Sequence, residues 1–195
     1  MIIGITGGTG CGKTTLLDVI AGQGGLILDC DQIYHELLSS DEAMLHAIAE
    51  RFPGTVKDGI LDRKALGQIV FAREDALLDL NRITHSAVKE EVLRRLQDAP
   101  ALAAIDAIGL FEGDLADLCH VTVAVTAPRQ KRLERLMARD GIDAAYAQKR
   151  IDAQRSDEWF RQRCDYTLTN DSTLSDFRAK CIAFLDALGI IKEND

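Results

Sequence analysis

The sequence is poor in proline, poor in aromatic residues and short of positive charge. Three prolines occur in 195 residues, and Phe, Trp and Tyr together make up 5%. There is no internal repeat and no low-complexity linker, which speaks against a repeat array, a collagen-like chain or a disordered segment. Lys and Arg number 23 against 31 Asp and Glu, a net charge of −8. A general nucleic-acid binder or a protein of anionic membrane surfaces is normally basic, so neither partner class is expected. No apolar run reaches the roughly 18 residues of a membrane span. Met1 to Thr6 carry no basic residue ahead of the apolar run, so they read as a first strand and not as a signal peptide. Cysteine is sparse and irregular: Cys11, Cys30, Cys119, Cys164 and Cys181 form no C-x-x-C pair, and their number is odd. Thiols in a reducing cytosol account for this, and a cytoplasmic protein is expected. His35, His46, His85 and His120 show no ligand spacing with the cysteines, which argues against zinc.

Hydrophobic residues at 47% and charged residues at 28% are ordinary for a globular chain, and 195 residues suit one domain with a modest insertion. Short apolar runs alternate with longer helical stretches. Ile2–Thr6, Leu26–Leu28, Leu102–Ile108 and Val121–Thr126 read as strands, and Tyr166–Thr169 as a weaker fifth. Continuous apolar strands separated by helices indicate a parallel sheet covered on both faces. Between Asp31 and Pro100 the apolar residues recur at helical spacing, which predicts a strand-free helical insertion. A last helix is expected over Leu174–Leu188.

Gly7-Gly8-Thr9-Gly10-Cys11-Gly12-Lys13-Thr14 spells G-x-x-x-x-G-K-[ST] between a strand and a helix. Glycines let the backbone curl around phosphate oxygens, and the helix N-terminus adds partial positive charge. Lys13 suits the β- and γ-phosphates, and the Thr14 hydroxyl suits Mg²⁺. The motif therefore predicts a nucleoside triphosphate site. It does not say what is done with the nucleotide. Asp106-Ala107-Ile108-Gly109 spells D-x-x-G, yet the sequence lacks the N-K-x-D by which GTPases read guanine. A motor or DNA-remodelling protein usually needs more sequence and a basic tract. A small-molecule kinase fits the short chain, the insertion and an Arg-rich segment after the fourth strand.

That segment, 128–163, holds ten basic and six acidic residues within an acidic chain. Arg132, Arg135 and Arg139 share one helix face, with Leu133, Leu136 and Met137 on a packing face. Asp29 and Asp31 form D-x-D where the second strand ends, at the carboxyl edge where parallel sheets bind ligands. One of them suits a base for a hydroxyl proton and its neighbour a Mg²⁺ held through water. A purely structural alternative makes Asp31 the N-cap of a helix starting at Gln32. Asp106, at the end of the third strand, suits either a further Mg²⁺ ligand through water or a structural polar role.

Together these residues resemble the dephospho-coenzyme A kinase family, and the resemblance runs through nearly the whole chain. Ile5 to Thr15 is similar to the family's opening, Asp29-Cys30-Asp31 to its D-x-D, and Leu61-Asp62-Arg63 to Val70-Phe71 to its L-D-R element. Ala127-Pro128, Arg135, Arg139-Asp140 and Arg150-Ile151 with Gln154 resemble its adenine-side and lid segment, and Cys164-Asp165 to Asn170 its last strand. Departures stand at Ser86, Gly109-Leu110-Phe111 and Asp171-Ser172, where the family usually has Pro, Pro-Leu-Leu and a nearby Gly.

The resemblance implies an α/β, P-loop NTPase-type three-layer fold with a parallel five-stranded sheet, a helical acceptor-binding insertion and a lid. Core segments are expected at 1–34, 100–127 and 161–195, the acceptor domain at 35–99 and the lid at 128–160. It implies ATP and Mg²⁺, with dephospho-CoA as acceptor. Gly8, Thr9, Gly10, Cys11, Gly12, Lys13, Thr14, Thr15 and Arg139 would bind ATP. Asp31 would be the base, with Lys13 and Arg139 also catalytic. Asp31, His85 and Arg63 would meet the acceptor, and Thr14, Asp29 and Asp106 the metal. A nucleoside or nucleoside-monophosphate kinase of the same fold, or a nucleotide-dependent switch, is the alternative.

Overall fold

A computed structural model describes residues 1–191. The elements run β1 (Ile2–Thr6), α1 (Lys13–Gly22), β2 (Leu26–Asp29), α2 (Cys30–Ser40), α3 (Glu42–Arg51), β3 (Val56–Lys57), β4 (Ile60–Leu61), α4 (Arg63–Val70), α5 (Glu74–Gln97) and β5 (Ala103–Asp106). After a 3₁₀ turn at Ala116–Leu118 follow β6 (Val121–Thr126), α6 (Arg129–Asp140), α7 (Ala144–Asp152), α8 (Asp157–Arg161), β7 (Tyr166–Thr169) and α9 (Leu174–Ala187).

Five strands form one sheet in the order β2-β5-β1-β6-β7. β1 is parallel to both neighbours, with Ile2 beside Ala103 and Ile3 beside Val121, and β6 is parallel to β7 with Val123 beside Tyr166. The apolar runs explain the central position of β1 and β6. All six residues of β6 are buried, which is tolerable only where both faces are covered. Ile3, Ile5, Val123 and Val125 pack with Leu16, Val19 and Ile20 of α1 and with Phe177, Cys181, Phe184 and Leu185 of α9. Burying each large aliphatic or aromatic side chain contributes about 1.5–3 kcal/mol, so this layer fixes where β1 ends and α1 begins.

The described residues divide into two compact units, one made of Met1–Leu28, Ala99–Leu110 and 115–191, the other of Asp29–Asp98 with Phe111–Asp114. In the second unit, α2, α3 and α4 pack on α5. Ile33, Leu37, Ile48, Phe52, Leu66 and Val92 are buried there. Arg95 of α5 donates to Glu36 of α2 (2.5 Å) and to Glu91 (2.7 Å). Arg94, through two guanidinium bonds of 2.7 Å each, and then Arg95 pull the Glu91 carboxyl down to about 2.

The expectation of a strand-free insertion is corrected: β3 and β4 form an antiparallel hairpin, Val56 opposite Leu61. Asp58 (φ 51°) and Gly59 (φ 74°) make the turn. Two consecutive left-handed residues match the twist of a two-residue hairpin, and Asp-Gly is a preferred pair for it. Each strand has only two residues, too few for an alternating pattern to register.

Candidate active site

Backbone geometry shapes the phosphate loop first. Thr6 closes β1 with its hydroxyl bonded to the Ile108 carbonyl (3.1 Å). Gly12, the residue before α1, is left-handed at φ 95° and offers no side-chain cap to the helix. An L-side chain is disfavoured in that conformation. Without a side-chain cap, the first N–H groups of α1 are suited to an anion, which the helix dipole also favours. Lys13 folds back over the loop: its Nζ donates to the Gly7 carbonyl (3.2 Å) and stands 3.7 Å from Asp106 Oδ1 at the end of β5. Cys11 is wholly buried, and burial pushes its thiol up, so its contribution to the loop is through the backbone.

Lys13 and Asp106 thus come together in the first unit, and Thr14 follows Lys13 in the chain. Thr14 is exposed at the start of α1. Among the described residues no group of three or more His, Cys, Asp or Glu is clustered as for a metal cage. One hydroxyl and one carboxylate fit Mg²⁺, which takes hard oxygen donors, keeps several waters and relies on substrate phosphates.

Four side chains that the motif does not contain hold the loop from outside. Arg132 Nε donates to the Thr9 carbonyl (2.9 Å), and Gln154 Oε1 accepts from the Thr9 N–H (2.8 Å). Arg135 Nη1 donates to the Gly10 and Cys11 carbonyls (3.1 and 3.3 Å), and its Nη2 to Asn170 Oδ1 (3.0 Å). Asn170 Nδ2 reaches the Cys11 carbonyl at 2.9 Å. The helix-face reading of α6 needs correction here. Arg132 is 5% exposed, whereas Met137, assigned to the packing face, is 40% exposed. Leu136 does pack, with Ala147 and Ile151 of α7.

Arg139 lies at the far end of α6. Its Nε and Nη2 donate to the two oxygens of Asp140 (2.6 and 3.0 Å), and Arg150 Nη1 adds a third bond (2.5 Å). Arg139 first, then Arg150, holds the Asp140 carboxyl down to about 2. Beyond α7, Trp159 is stacked by Arg163 at 4.1 Å and Arg155 at 5.3 Å from its ring centre.

The acceptor candidates lie in the second unit. Asp29, not Asp31, caps α2: its Oδ1 accepts from the N–H groups of Asp31 (2.9 Å) and Gln32 (3.0 Å). The structural alternative, in which Asp31 caps a helix from Gln32, is corrected by two residues, because α2 starts at Cys30. Asp31 occupies the first turn with an exposed side chain. Arg63, with Tyr34, His35, Leu38 and Leu66, lines a groove of about 180 Å³ whose Phe71 is 85% exposed. Burial pushes the Tyr34 phenol up. His85 lies outside that groove on α5, with Nδ1 3.1 Å from the Glu112 carbonyl. A carbonyl only accepts, so His85 carries a proton on Nδ1.

A family model described as dephospho-CoA kinase matches residues 1–176. The dephospho-CoA kinase of Latilactobacillus sakei is 34% identical over 191 residues, 95% of each chain. That of Saccharomyces cerevisiae is 34% identical over 90% of this chain and 78% of its own. A crystal structure from Thermus thermophilus superposes with a TM-score of 0.80 at 32% identity, covering 96% of this chain and 97% of the other. Dephospho-CoA kinase from Campylobacter jejuni gives 0.67 at 26%, covering 96% of each. A shikimate kinase from Acinetobacter baumannii, at 19% identity and a TM-score of 0.58 over 99% of this chain and 95% of its own, shares the fold. With its phosphate loop and parallel sheet in place, the chain belongs to the dephospho-CoA kinase family.

Proposed function

We propose that the chain transfers the γ-phosphoryl group of ATP to the ribose 3′-hydroxyl of dephospho-CoA, giving CoA and ADP. The observation that carries this is the complete phosphate loop, with Lys13 folded against Asp106, in a chain of this family. Such transfers need positioning and charge neutralisation more than covalent chemistry. The loop amides hold the phosphates, and Lys13 moves from the Gly7 carbonyl to their oxygens. Thr14 and Asp106 would hold Mg²⁺, which supplies charge neutralisation, with Asp29 as an outer support. Asp31 accepts the hydroxyl proton or orients that hydroxyl. Residues 35–99 form the acceptor domain, in which Arg63 and His85 meet the acceptor. Residues 128–160 form the lid, and closure excludes the water that would otherwise compete. No helix among the described residues is long and apolar enough to cross a membrane, and no disulfide joins the cysteines. Both facts suit an enzyme working in the cytosol.

ADP release from ATP and Mg²⁺ with a panel of acceptors tests the reading. Dephospho-CoA is expected to be turned over, and nucleosides and nucleoside monophosphates are not. Turnover of a nucleoside instead would reassign the acceptor, and binding of ATP without any turnover would favour a switch.

Arg139 gives a sharper test. Exposed ion pairs contribute little, so its bonds to Asp140 are readily exchanged for phosphate oxygens when the lid closes. Arg139→Ala is expected to lower turnover about 10²-fold while ATP binding to the open enzyme changes less. Arg139→Lys should restore only part of the rate, because an ammonium lacks the fixed fork of the guanidinium. Full recovery with lysine would leave Arg139 as a solvated helix residue.

A further inference from the structure

The bonds around Thr9 form a closed ring. Gln154 Oε1 accepts from the Thr9 N–H at 2.8 Å and from Arg132 Nη2 at 3.2 Å. Arg132 Nε donates to the Thr9 carbonyl at 2.9 Å, and its Nη1 to Asp157 Oδ1 at 3.2 Å. Both backbone polar groups of one loop residue are thus held by two side chains that also hold each other. All of these residues belong to the same compact unit.

The arrangement is costly unless it is complete. Taking a guanidinium out of water carries a penalty of several kcal/mol that only well-aimed acceptors offset. Arg132 meets three: a carbonyl, an amide oxygen and a carboxylate. The loop sequence also accommodates it. A Cβ built on Gly8 would collide with the Arg132 guanidinium and lie 3.0 Å from Gln154 Oε1. Gly8 is not in the left-handed region. Its lack of a side chain therefore serves the close approach of Arg132 and Gln154, and not an unusual backbone angle.

The ring also changes what Thr9 can do. Its N–H is committed to Gln154, so Thr9 contributes to the shape of the loop in place of donating to phosphate. Gln154 lies in the short connection between α7 and α8, and Asp157 is the first residue of α8. The ring therefore ties the end of the lid segment to the first half of the loop.

We propose that Arg132 and Gln154 are positioning residues for phosphoryl transfer: they fix the Thr9 peptide, and with it the path of the phosphate loop, without touching the nucleotide. The inference rests on the loop as the ATP site.

Their effect should fall on ATP and spare the acceptor. Gln154→Met keeps the length of the side chain and removes the acceptor, whereas Gln154→Glu retains an oxygen for both the Thr9 N–H and Arg132. Calorimetry with a non-hydrolysable ATP analogue, together with steady-state kinetics for ATP and dephospho-CoA, reads the outcome on the full chain. For Gln154→Met, the Kd for the analogue and the KM for ATP should rise about tenfold, with the KM for dephospho-CoA within about twofold of the unmodified enzyme. Gln154→Glu should return both ATP constants to within about threefold. Arg132→Lys keeps the charge but cannot serve three acceptors in one plane, so it should resemble Gln154→Met.

Unaltered ATP constants in Gln154→Met would overturn the proposal. So would ATP and acceptor constants that rise together as the melting temperature falls, since that pattern marks general loosening. If Gln154→Met does not fold, Arg132→Lys at unmodified affinity overturns it, and a selective loss for ATP upholds it. Failure of the unmodified protein to bind the analogue would instead remove the ATP-site reading itself, an outcome distinct from all of these.

Discussion

Asp31→Asn is expected to lower phosphoryl transfer to dephospho-CoA by about 10²–10⁴-fold, the range for loss of a positioned base. The forecast is cleaner than the D-x-D pattern alone allows, because the structure separates the two carboxylates. Asp29 Oδ1 holds the start of α2 through two backbone N–H bonds. Asp31 takes part in that cap only through its backbone N–H, which asparagine retains. What the substitution removes is a negative charge in the first helical turn, worth about 0.3–1 kcal/mol at an exposed site. Stability should therefore fall by no more than that while catalysis collapses, and MgATP binding should change little. Asp29→Asn is the necessary comparison, since an amide oxygen still caps a helix. If Asp29→Asn is the more severe change in rate, the roles of the pair are the reverse of those proposed. Two variants with normal turnover that only melt earlier would reduce D-x-D to a helix start.

Lys13→Ala is expected to lower turnover by about 10²-fold or more, because it removes the charged donor placed over the phosphate loop. The amine holds no apolar core together. It bridges the Gly7 carbonyl and Asp106, and both lie at the rim of the sheet. The fold should survive, as far-ultraviolet circular dichroism and a cooperative melt would verify. Single-turnover measurements at saturating ATP separate lost binding from lost chemistry. A folded Lys13→Ala enzyme with normal single-turnover rates is incompatible with the site described above.

The sheet and the loop were legible because each is written in contiguous residues. Val121–Thr126 and Tyr166–Thr169 are apolar or β-branched throughout and are strands to the residue. The phosphate loop is a fixed spacing of glycines and Lys13. What the sequence hides is pairing across distance. Arg132 and Arg139 sit on one helix face at i and i+7, yet one is buried against Thr9 while the other meets Asp140. Nothing in helical periodicity distinguishes them. The difference comes from Gln154 and Asp157, two single polar residues some 20 positions away in sequence. The hairpin was missed for another reason: Asp58-Gly59 is a readable turn, but two-residue strands have no period. The cap of α2 is hard to read because Asp29 is at once the last residue of a strand and the first anchor of a helix, a double role that a single-element reading assigns only once.

Trp159 is the sole tryptophan of the chain, and its indole stacks on Arg163 and Arg155. Indole emission responds to a nearby cation and to water, and this indole stands five residues from Gln154. The protein therefore carries its own optical reporter at the end of the segment assigned as the lid. Excitation of one native residue, with no dye and no engineered label, should follow that segment in real time as nucleotide and acceptor are mixed in a stopped-flow cell.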